Sequence, residues 1–131
     1  MTSNIQKVLL LAAFLALSVH FTYAQKFDKN DLFAKWQLDK YSDDESYYKV
    51  PKKEIGDYIH LKKDMTYESR SEGETSTGTW MLNTNGTYFE LKDADGKKEK
   101  IYIHFSSSKT LVVMYDADEY RVWEVHYVSC K

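Results

Sequence analysis

The sequence predicts an all-β domain, an antiparallel up-and-down meander of about eight strands closed into a barrel. Three observations predict it. First, apolar and polar residues alternate in short runs after residue 30, the period of a strand with one buried face. Second, turn signals separate the runs, with Asn85-Gly86 and Asp95-Gly96 the strongest, because a primed hairpin turn needs positive φ. Third, no convincing helical period follows residue 30.

Phe27 to Phe33 (FDKNDLF) reads as one short helical turn that Asp28 or Asn30 can cap. Ala34 to Lys40 puts Ala34, Trp36 and Leu38 on one face, a half-buried strand. Residues 42–56 (SDDESYYKVPKKEIG) form the longest polar stretch and hold Pro51, the one proline of the chain. A loop of that length is expected to lie over an opening of the barrel. Tyr58 to Leu61 is a second strand, turned by Lys63-Asp64-Met65 into a polar third, Thr66 to Glu72. Gly78 to Leu82 and Thr87 to Lys92 flank Asn85-Gly86, and Asp95-Gly96 leads into Glu99 to Ser106. That long strand places Ile101, Ile103 and Phe105 on one face. Thr110 to Asp116 and Tyr120 to Val128 complete the set. Short connections make sequential strands antiparallel neighbours.

The first 24 residues read as a signal peptide and residues 25–131 as the barrel domain. Lys7 supplies the positive start, Val8 to Val19 the apolar core, and Thr22-Tyr23-Ala24 the small residue at a cleavage site. The twelve apolar residues fall short of the roughly 20 that span a bilayer. The expectation is therefore an exported protein, periplasmic or secreted, with no integral membrane segment after cleavage. Net charge is −2, with 18 basic and 20 acidic residues, which gives no electrostatic ground for a nucleic-acid partner. Aromatic residues make up 15% of the chain, a packed fold rather than a disordered one. Cys130 is the sole cysteine, so packing rather than an internal disulfide must hold the domain together.

Trp36 on the first strand, the Asp64 turn after an apolar second strand, and Gly78-Thr79-Trp80 before a hairpin carry a resemblance. Over roughly residues 32–128 the chain resembles the lipocalin-like domain of small exported bacterial proteins. The resemblance implies a calycin-type barrel with an apolar cavity. It also implies that Trp36 packs as a structural residue at the closed end, covered by a basic residue for which Arg121 and Lys131 are candidates. Ala34 stands where the family's Gly-x-Trp motif has glycine.

Other constellations have simpler readings. His60, His104 and His126 sit on separate strands opposite the apolar face, so an outward-facing set is scattered rather than gathered on a metal. The acidic groups Asp93-Ala94-Asp95 and Asp116-Ala117-Asp118-Glu119 occupy turns, where Asp bonds its own backbone. Asn85-Gly86-Thr87 fits a glycosylation acceptor but is first a turn. No nucleophile elbow, phosphate-binding glycine loop or His-Glu-x-x-His motif is present, so neither an enzyme nor a cofactor is expected.

The aromatic residues carry the functional expectation. Trp36, Trp80, Trp123, Phe89 and Phe105, with Tyr67 and Tyr115, either line a cavity or fill the barrel themselves. The favoured reading is a small hydrophobic molecule bound inside the barrel near Trp80, Phe89, Ile103, Phe105 and Trp123. The alternative is a filled barrel that binds a protein or glycan through its loops or outer face, with Tyr47, Tyr48, Tyr102 and Tyr120 as exposed aromatics. An interior void of several hundred Å³ separates the two.

Overall fold

The computed structural model describes residues 26–117 and 123–130. Nine antiparallel strands form one sheet: β1 (Ala34–Ser42), β2 (Tyr47–Lys49), β3 (Tyr58–Leu61), β4 (Thr66–Ser71), β5 (Glu74–Leu82), β6 (Tyr88–Asp93), β7 (Lys98–Ser106), β8 (Thr110–Tyr115) and β9 (Glu124–Ser129). From β3 to β9 each strand pairs with the next, and β1 pairs with both β3 and β9. Eight strands thereby close into an up-and-down barrel of the expected lipocalin-like architecture, and β2 is an extra strand pairing with β1 alone. The strand was hidden inside the polar stretch 42–56, where Tyr47-Tyr48-Lys49 folds back on the end of β1. The expected last strand begins only at Glu124, and its residues Tyr120 to Val122 lie outside the described set.

One end of the barrel is plugged. Asp28 caps a 3-10 turn over Lys29–Asp31, its Oδ1 accepting from Asn30 N at 2.9 Å. That turn drops Leu32 under the barrel, where it is fully buried. The buried Trp36 indole donates from Nε1 to the Leu32 carbonyl at 2.9 Å. Trp36 therefore packs at the plugged end. Neither Arg121 nor Lys131, the candidates for covering it, belongs to the described residues. Phe33, Trp80 and Phe89 meet edge to face in a row, with centroids 5.7 and 6.4 Å apart. The N-terminal segment is held here by Phe27 N donating to Gly86 O at 3.0 Å. Gly86, at φ 66°, must be glycine twice over, since a Cβ there would also press on the Phe27 carbonyl.

Two β-bulges set which residues face inward. Between β1 and β9 the register shifts across Leu38/Lys40, leaving Asp39 as the extra residue. Trp36 and Leu38 face in, and after the bulge the next inward residue is Tyr41. Between β7 and β8 the register shifts across Ile103/Phe105, leaving His104 as the extra residue. Ile101 and Ile103 face the core, but Phe105 then pairs with Val112 on the outer surface and is 49% exposed. The expectation of Phe105 on the same face as Ile103 is thus corrected. An unbroken period of two holds only where the ladder has no insertion.

Candidate functional site at the barrel mouth

At the end opposite Trp36 the barrel is open, and a cavity of about 300 Å³ enters it. Its walls come from most of the barrel. Leu38, Ile59, Leu91 and Val125 supply apolar surface from β1, β3, β6 and β9. Tyr41, Tyr115 and Tyr127 supply aromatic rings with hydroxyls. Glu54, Asp57, Glu72 and Glu99 supply carboxylates around the rim, and Arg70 one guanidinium. The volume lies at the low end of the range of small-molecule sites, about 300–1,000 Å³.

The polar groups are positioned by local structure. Pro51 opens a 3-10 turn over Lys52–Glu54, which brings Glu54 to the mouth. There it accepts a hydrogen bond from the Tyr41 hydroxyl at 2.5 Å. Desolvation first, and that carboxylate second, push the Tyr41 phenol far above its ordinary value. Asp57 is buried, and both its carboxylate oxygens accept from Glu72 N, at 3.0 and 3.2 Å. Its own carbonyl accepts from Leu38 N at 2.9 Å, so Asp57 pins the β4–β5 hairpin to the β1–β3 rim. The hydroxyls of Tyr115 and Tyr127 bond one another deeper in the pocket. Burial pushes both phenols well above their ordinary value.

Glu99 has a different situation. It is the partner of Leu91 in the β6–β7 ladder, so it shares the inward face with Leu91, Ile101 and Ile103. The residue is exposed at the rim, yet desolvation raises its carboxyl above the usual range, with the Lys97 charge opposing.

The residues singled out from the sequence are distributed elsewhere. Trp80 and Phe89 are buried at the plugged end, and Trp80 Nε1 donates to Lys62 O at 3.1 Å. Ile103 is buried in the core, and Phe105 is on the outside. Trp123 precedes β9 and meets the Tyr48 ring edge to face at 5.1 Å. None of the five lines the mouth cavity, whereas Tyr115 does. The stretch 42–56 reaches the opening through Glu54.

A second polar group decorates the outer face. Ser42 Oγ lies 2.7 Å from His126 Nε2 and donates to Glu124 Oε2 at 3.2 Å, and His104 Nδ1 lies 3.3 Å from Glu124 Oε1. Of the strand histidines His60, His104 and His126, the last two are thus gathered at Glu124 rather than scattered, His104 being the bulged residue. Burial and the nearby Lys40 hold His126 below its ordinary pKa. Among the described residues no group of three or more His, Cys, Asp or Glu is arranged to hold a metal ion. No helix among them is long and apolar enough to cross a membrane.

No protein-family model matches this chain, and no curated protein matches it.

Proposed function

We propose that this chain is an exported lipocalin-like protein that binds one small, largely hydrophobic molecule in the mouth pocket. The observation that carries the reading is the cavity itself, about 300 Å³ and walled by Leu38, Ile59, Leu91 and Val125. Apolar ligand surface buried there contributes about 25 cal/mol per Å². The tyrosine hydroxyls and the rim carboxylates orient the ligand's polar end. Export rests on the apolar stretch Val8 to Val19 followed by Thr22-Tyr23-Ala24. Mass spectrometry of the protein recovered from a secreting host checks it, with Gln25 the expected first residue.

Titration with N-phenyl-1-naphthylamine, a neutral probe bright only in apolar surroundings, tests the binding. One saturable site with blue-shifted emission is expected, lost when Leu91→Trp fills the cavity. A response that never saturates, or one that survives Leu91→Trp in a folded variant, overturns the reading. The three tryptophans make poor reporters, since none of them lines this pocket.

The exposure of Tyr47, at 70%, and the Tyr48–Trp123 pair support a second reading, an outer aromatic surface for a protein or glycan. Tyr102 is half-buried against Tyr88, and Tyr120 lies outside the described residues.

A further inference from the structure

We propose that the mouth pocket selects a ligand whose polar end is a protonated amine, and that Glu99 is the group that receives it. The inference rests on the pocket reading above and deepens it.

Three of the four carboxylates at the mouth are already engaged. Glu54 is occupied by the Tyr41 hydroxyl, and Asp57 by the Glu72 backbone N–H. The Glu72 side chain is neutralised by Lys53 at 3.2 Å. Glu99 differs from all three. It stands on the inward face beside Leu91 and has no hydrogen-bond or ion-pair partner for its carboxylate among the described residues.

The two lysines that flank it on β7 are turned the other way, and Lys97 before the strand acts on Glu99 through its charge. Lys98 reaches Glu90 at 3.9 Å, and Lys100 sits 5.1 Å above the Tyr88 ring. Alternation along β7 puts both on the outer face and Glu99 alone on the inner one. Arg70 is the single cation among the lining residues, against four carboxylates.

Glu99 keeps much of its surface in water, but desolvation still raises its carboxyl, which has no ion-pair partner among the described residues. A ligand ammonium offsets that desolvation by forming a charge-assisted hydrogen bond inside the pocket. The Tyr115 and Tyr127 rings add surfaces that favour a cation. A carboxylate ligand of equal size would meet Glu99 and Glu54 with like charge. The pocket chemistry therefore favours an alkyl or aryl amine over the matching alcohol, and the alcohol over the matching acid.

The test is displacement of N-phenyl-1-naphthylamine at pH 7 by octylamine, octanol and octanoate, which share one chain. In the unaltered protein octylamine is expected to displace the probe at least tenfold more effectively than octanol, with octanoate weakest. In Glu99→Gln the amine-to-alcohol ratio should fall to within about twofold of one, while Glu90→Gln on the outer face keeps the preference. Saturable probe binding with no amine preference, or a preference intact in Glu99→Gln, overturns the amine assignment and leaves the pocket standing. Absence of saturable probe binding overturns both.

Discussion

Tyr115 on β8 and Tyr127 on β9 bond through their hydroxyls although they are not partners in the strand ladder, where Tyr115 faces Ile101 and Tyr127 faces Leu111. The contact spans the pocket, between two phenols that burial pushes well above their ordinary value. Tyr127→Phe should cost about 1–3 kcal/mol, because it strands a buried hydroxyl. Adding Tyr115→Phe removes the stranded group, so the double variant should lose less than the sum of the singles. A double-mutant cycle by urea unfolding measures the difference. Simple additivity would show that the two hydroxyls are not coupled.

The bulge at His104 assigns opposite roles to two phenylalanines. Phe89 is fully buried, and Phe89→Ala should cost about 3–5 kcal/mol. Phe105 points outward, so Phe105→Ser should change stability by no more than about 0.5 kcal/mol. Denaturant midpoints of the two variants check this, and comparable losses would mean that Phe105 faces the core.

Gly78 lies between Tyr67 on β4 and Asp93 on β6. A Cβ there would run into the Lys92 carbonyl, a backbone atom that has no rotamer to retreat into. Gly78→Ala should therefore destabilise the barrel by about 1–3 kcal/mol, despite replacing glycine in a strand. For a domain of this size each kcal/mol lowers the thermal midpoint by about 4–8 °C. An unchanged or raised midpoint would contradict the close approach.

Glu99 should leave a mark on the pH dependence of stability. Its unfolded carboxyl ionises near the ordinary value of about 4.3, and its folded one above that. The folded state thus holds the proton longer, so stability drops as pH rises through that window and stays lowered above it. Glu99→Gln should raise the unfolding midpoint at pH 7 and leave it unchanged at pH 3, by calorimetry. A lower midpoint at pH 7 would indicate that the ionised carboxylate is stabilised in the apo barrel.

The barrel and its plugged end were legible because each relies on short-range signals. Alternation, the Asn85-Gly86 and Asp95-Gly96 turns and Trp36 all act within a few residues of themselves. The mouth was harder to read. Tyr41 reaches it only through the bulge at Asp39, which no count of alternating residues reveals. Glu99 shares its parity with Ile101 and Ile103, a signal present in the sequence but masked by Lys98 and Lys100 on either side. Size and aromaticity point Trp80 and Phe89 to a cavity, whereas at the plugged end large rings pack against each other. Ladder register decides which of these aromatics meet a ligand, and register is a non-local property.

On the proposed reading a ligand enters the mouth of the barrel. Backbone amide resonances followed by NMR during titration with N-phenyl-1-naphthylamine test it most directly. Saturable shifts are predicted at Leu38, Leu91, Tyr115 and Tyr127, with Trp80 and Phe89 unmoved. Shifts confined to the plugged end or to Tyr47 and Tyr48, or none that saturate, would contradict it.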